Sequence, residues 1–136
     1  MAKSILTYSG LVAALLQVES PEQAARDPLL GGMFENMVVV EVLKALWNRG
    51  RRDILSFYRD SNGLEVDVVL ERQRIPFPIE IKASQTFSPD FLRSLRRFKE
   101  LVPSAGNGCV IYGGGDSFAG TDYDIRGFAD SYRAIL

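Results

Sequence analysis

Three successive runs of the chain read as strands: Ile54 to Arg59, Leu64 to Leu70 and Phe77 to Ala83. In "LEVDVVL" the alternation has period two. It sets Leu64, Val66, Val68 and Leu70 on one face and Glu65 and Asp67 on the other. In "IEIKAS", Ile79, Ile81 and Ala83 share a face, and Glu80, Lys82 and Ser84 share its reverse. "DSNG", Asp60 to Gly63, joins the first two runs as a hairpin turn. Pro76 and Pro78 lack amide protons, so they limit where the third run begins to pair and predict an edge or a strand start there.

Helical spacing frames these runs. Met33 to about Asn48 carries Phe34, Val38, Val42 and Ala45 on one face, and Gly50 is placed to end that helix. Phe34 and Trp47 are expected in its core contact, and Gly31-Gly32 predicts a break before it. "SPD", Ser88 to Asp90, opens a second helix with the apolar stripe Phe91, Leu95, Phe98 and Val102, which Pro103 stops. Cys109 to Tyr112 is wholly apolar, the pattern of a strand buried on both faces, with Cys109 an unreactive buried thiol. Fainter signals are a strand at Ser4 to Tyr8, an apolar helix at Gly10 to Val18 and a helix start at Ser20 to Glu22. A strand around Tyr123 to Phe128 and a short C-terminal helix complete the chain. The core order α-β-β-β-α-β predicts a mixed α/β domain over residues 33–136. A helical extension over residues 1–32 is expected to pack with it as one globular unit.

Composition narrows the chemistry. The 136 residues include no histidine and one cysteine, which removes histidine triads, Cys-cluster zinc sites and internal disulfides. A bound metal would have to be held by carboxylates and carbonyls, which favours Mg²⁺ or Mn²⁺. The net charge of −1 exerts no global pull toward nucleic acid. No apolar run is long enough to span a bilayer. Lys3 precedes apolar residues as in a signal peptide, but Thr7 to Gly10 interrupts them and no small-x-small cleavage site follows, so a cytoplasmic location is expected.

Pairing the second and third strands with matched apolar faces would bring Asp67, Glu80 and Lys82 together. Two carboxylates can share a divalent cation, and a lysine beside them can orient a water or stabilise charge developing on a phosphate. The same alternation also describes a solvated sheet face with weak cross-strand ion pairs. Glu35, on the preceding helix, adds a third acid.

The order helix-Glu, strand-Asp, strand-Glu-x-Lys, helix, strand resembles the PD-(D/E)xK nuclease superfamily. "LLGGMFENMVVVEVLKAL", "FYRDSNGLEVDVVLE" and "PIEIKASQTFSPDFLRSLRRF" more closely resemble a nuclease-like domain of unknown function that usually forms the C-terminal part of prokaryotic AAA-type ATPases. The resemblance implies a restriction-endonuclease-like core, a mixed central sheet flanked by helices. It makes Asp67 and Glu80 metal ligands, Lys82 the catalytic lysine, and Glu35 an acid supporting the metal or its waters. It implies an Mg²⁺- or Mn²⁺-dependent nuclease acting on DNA or RNA, partnered by an ATPase module in cis or in trans. The alternative is an inactive nuclease-fold module that binds nucleic acid or protein and regulates an ATPase. This chain contains no G-x-x-x-x-G-K-[ST] loop, so no ATP site is expected within it.

Arg93, Arg96, Arg97 and Lys99 on the second helix, and Arg49, Arg51 and Arg52 after the first, could hold backbone phosphates or form solvated faces. Gln85 and Thr86 could touch a phosphate or cap the helix beyond them. "YGGGDSF", Tyr112 to Phe118, lacks the lysine and helix of a phosphate loop and reads as a flexible connector.

Overall fold

A computed structural model describes residues 28–135. The strand expected at Ser4 to Tyr8, the helix at Gly10 to Val18 and the helix start at Ser20 to Glu22 lie outside the described residues. Helix α1 spans Pro28–Asn48. It runs through Gly31 and Gly32, where a break was expected. Two helical glycines cost roughly 1 kcal/mol each, but α1 buries Val38, Val42 and Leu46 at i, i+4 and i+8, and that burial outweighs them. Gly50 ends the helix as anticipated. At φ +65° it lets its own N–H reach Trp47 O and the Arg51 N–H reach Leu46 O, both at 2.9 Å.

The strands are β1 (Ile54–Arg59), β2 (Glu65–Arg72), β3 (Ile75–Lys82), β4 (Cys109–Tyr112), β5 (Phe118–Ala119) and β6 (Asp124–Gly127). They form one mixed sheet in the order β1-β2-β3-β4-β6-β5. β1 to β3 are antiparallel neighbours, whereas β3, β4 and β6 run parallel and β5 returns antiparallel to β6. The β3–β4 crossover carries a 3-10 turn, Pro89–Leu92, and helix α2, Arg93–Leu101. The β1–β2 turn forms at "DSNG", with Asp60 Oδ1 accepting from the Asn62 and Leu64 N–H groups.

Pro76 and Pro78 sit inside β3, which is central rather than an edge. β4 pairs with β3 only from Ile79 onward, so both prolines occupy a stretch of β3 that β4 does not cover.

The expected single apolar face of β2 is split. Ser56 pairs with Val69 and Tyr58 with Val66, two steps along β1 against three along β2, so β2 carries an extra residue at 67–68. Val68 and Leu70 therefore join Val38, Val42, Leu46, Ile79, Ile81 and Ile111 beneath α1. Leu64, Val66 and Val69 instead pack with Phe98 and Ala105 on the α2 side. Trp47, expected in the core, is 67% exposed, while Phe34 packs against Phe128 at 5.7 Å.

The C-terminal 3-10 segment, Phe128–Ile135, closes over α1, and Arg51 and Arg72 both donate to the carbonyl of Ile135. Arg51, a candidate phosphate contact, is thereby committed to the fold, and it also pairs with Asp53.

The glycine run after β4 is an anchored connector, not a loose one. Gly113 N–H donates toward Lys82 O at 3.1 Å and Ser84 O at 2.9 Å, and a Cβ there would lie 2.6 Å from Ala83 O. Among the described residues no helix is long and apolar enough to cross a membrane.

Two expectations follow. Gln73 and Arg74 turn β2 into β3 at φ 52° and 67°, a two-residue turn that favours Asn-Gly. Gln73→Asn with Arg74→Gly is expected to raise the free energy of unfolding by about 1 kcal/mol, read by urea denaturation. Cys109 is buried, and burial pushes its thiol up from 9.0 to about 12. In native protein it should resist a thiol reagent at pH 8. Above about pH 9 the unfolded chain sheds this proton while the folded chain keeps it, so stability falls as pH rises from 9 toward 12. Cys109→Ser should flatten that limb in denaturation curves taken across this range.

Candidate functional site

β2 and β3 stop pairing at Val68 and Ile79. Two residues further on, the Ile81 N–H that would continue the ladder donates to Asp67 Oδ2 at 2.8 Å. The extra residue in β2 thus turns the Asp67 carboxylate into the position that a strand carbonyl would otherwise fill. A cleft of about 380 Å³ opens where the strands part, and Asp67, Glu80 and Lys82 all line it. Its far wall is the α2 side, with Phe91, Arg93, Ser94 and Arg97.

Glu80 alternates with Ile79 and Ile81, which face α1, so its carboxylate emerges beneath α2. It is 5% exposed, and a carboxylate so buried requires compensation. Lys82, two residues on along the same face, places Nζ 3.1 Å from Oε1. Ser94 Oγ donates to Oε2 at 2.8 Å. The Lys82 ammonium also lies 5.9 Å from the centre of the Phe91 ring. Ser94 was not foreseen. Its only signal was helical spacing, since Phe91, Ser94 and Arg97 recur every three residues on one side of the Ser88 helix.

Of the arginines expected to meet phosphate, Arg93 and Arg97 line the cleft and Arg96 does not. Arg93 also pairs with Asp90 at 3.4 Å, an exposed and weak contact. Gln85 and Thr86 are not among the lining residues. Thr86 forms a local turn, its N–H donating to Ser84 Oγ at 3.2 Å and its carbonyl accepting from that hydroxyl at 2.9 Å. Glu35 stands on α1, which packs on the opposite face of the sheet, and it does not line the cleft.

Among the described residues no group of three or more His, Cys, Asp or Glu is placed to hold a metal ion. Asp67 and Glu80 nevertheless form a two-carboxylate, all-oxygen donor set on one cleft. That suits Mg²⁺ or Mn²⁺, which are commonly held by one or two carboxylates with water and phosphate oxygens completing the shell. Glu65, Asp67, Glu80 and Asp90 face Lys82, Arg93 and Arg97, so the lining carries one more negative than positive group. A divalent cation would reverse that balance in favour of a phosphate.

Asp67 ties the parting strands together by accepting from the Ile81 N–H. Asp67→Ala leaves the Ile81 N–H without its acceptor and is expected to cost about 1–3 kcal/mol in urea denaturation. Asp67→Asn keeps an acceptor oxygen and should cost less than half as much.

No curated protein and no solved structure matches the chain. A family described as "Domain of unknown function (DUF4143)" matches residues 30–127, a span that includes every cleft residue named above. The chain belongs to this DUF4143 family.

Proposed function

We propose that the protein is a divalent-metal-dependent phosphodiesterase acting on nucleic acid, with its reactive centre in the cleft between β2, β3 and α2. The observation that carries this reading is the convergence of Asp67, Glu80 and Lys82 on one cleft from two strands that no longer pair. Asp67 and Glu80 would hold Mg²⁺ or Mn²⁺, and such an ion supplies Lewis-acid polarisation of a phosphoryl oxygen and acidifies a water. The Lys82 ammonium, 42% exposed along its side chain, donates to a non-bridging phosphate oxygen as negative charge builds there. Arg97 and Arg93 at the mouth hold flanking phosphates without reading sequence. Glu35, away from the cleft lining, has no part in this reading. The resemblance to C-terminal domains of AAA-type ATPases adds a partner: an ATPase module, in cis or in trans, that delivers the nucleic acid.

One observation favours a second reading. Both Glu80 oxygens are already engaged, by Lys82 and by Ser94, as in a site that has become structural. On that reading the fold serves as a binding module regulating an ATPase.

Lys82→Ala separates the two. With Mg²⁺ or Mn²⁺ the native protein should cleave DNA or RNA, and the variant should lose at least about 100-fold in rate. The variant's melting temperature should fall because Glu80 loses its ion pair, so the comparison is made at a temperature where thermal melts show both proteins folded. Equal cleavage by native and variant protein would assign the activity to a contaminant and sink the catalytic reading.

A further inference from the structure

Among the described residues Glu80 is the one charged residue that is buried, at 5% exposure, and its carboxylate is gripped from two elements. We propose that Ser94 is a positioning residue that locks the Glu80 carboxylate so that Oε1 is the oxygen offered to a divalent cation. This rests on the metal-dependent reading above.

A carboxylate is two-fold symmetric about its terminal bond, and its end torsion is soft, so an untethered Glu80 would present either oxygen in a broad range of directions. Ser94 removes that freedom. It holds Oε2 at 2.8 Å from a helix that Leu95 and Phe98, both buried, bind to the sheet. Lys82 engages the other oxygen, Oε1, at 3.1 Å. The two partners differ in charge. The serine hydroxyl is neutral and can keep its bond when a cation reaches Oε1, whereas the Lys82 ammonium competes with a cation for that oxygen. Asp67 is treated in the same way, with Oδ2 tied to a neutral donor, the Ile81 N–H. Each carboxylate therefore has one oxygen fixed by an uncharged group of the fold. Partners that orient a ligand in this way are worth 10- to 100-fold in metal affinity in other sites.

Titration of the full chain with Mn²⁺, followed by calorimetry well below the melting temperature, tests the proposal without substrate. Ser94→Ala should weaken Mn²⁺ binding by about 10-fold or more. Ser94→Thr, which keeps the hydroxyl, should restore binding to within about threefold of the native protein. If Ser94→Ala binds Mn²⁺ as tightly as the native chain, the positioning role is overturned and the metal reading stands. If Ser94→Thr is as weak as Ser94→Ala, the hydroxyl is not what matters, and the proposal is again overturned. If the native chain binds no Mn²⁺, the metal-dependent reading itself fails and the role of Ser94 goes with it. Thermal melts of all three proteins show whether any loss of binding is a loss of fold.

Discussion

The extra residue in β2 at 67–68 is the constraint on which the rest of the domain depends. A regular β2 would keep pairing with β3 toward Lys82 and would place Leu64, Val66, Val68 and Leu70 on one face. The added residue instead shares the apolar side chains of β2 between two layers, with Val68 and Leu70 under α1 and Leu64, Val66 and Val69 under α2. A sheet covered on both faces needs apolar residues on both, and one bulge supplies them from a single strand. The same residue ends the β2–β3 ladder and brings Asp67 to the Ile81 N–H. The fold's second core and the cleft's first carboxylate thus have one cause.

Glu80 is the energetic counterweight. Burying a carboxylate is costly, and attraction to a single ammonium rarely repays the loss of water. Here the cost is shared between an ion pair and a hydroxyl, and the hydroxyl comes from an element that the core already holds in place. Ser94 sits between Leu95, which is fully buried, and the Phe91 turn, where Phe87, Phe91 and Tyr112 form part of a third apolar cluster. The packing of α2 against the sheet is therefore what makes the Glu80 environment rigid. A helix free to slide would leave the carboxylate half-solvated and loosely directed.

Much of the framework was legible because local rules and tertiary contacts agreed. The bounds of β1 and β4, the "DSNG" turn, the Gly50 stop and the Ser88 start all follow from backbone chemistry that acts within a few residues. The misses mark places where distant contacts overrule local ones. Gly31 and Gly32 remain helical because the apolar stripe beyond them is buried. Period-two reading cannot see a bulge, because the extra residue is visible only in the partner strand's register. Trp47 sits at the last turn of α1, where none of the described elements covers it, so its size does not bury it. β5 is two residues long and exists only as a partner for β6, which no pattern within Phe118-Ala119 could announce. At the site, Asp67, Glu80 and Lys82 were readable from alternation and resemblance. Ser94 was not, because a serine on a helix has meaning only through what it faces.

The cleft lies at the seam between these cores, and this position bears on what it can do. Glu80 projects from β3 between Ile79 and Ile81, both packed beneath α1, while its partner Ser94 belongs to the α2 layer. Asp67 falls between Val66, in the α2 layer, and Val68, in the α1 layer. Gly113 ties the backbone at Lys82 and Ser84 to the end of β4, so the chain leaving the lysine is held as well. Side chains anchored in close-packed surroundings lose little further freedom when a ligand arrives, and preorganised dipoles of this kind are worth most where water is scarce. A solvated sheet face, the simplest account of "IEIKAS" as a sequence, needs neither a buried glutamate nor a helix placed to grip it. Contacts from Lys82 on its own strand and from Ser94 on α2 hold the Glu80 carboxylate on both oxygens, which a solvated face would leave to water.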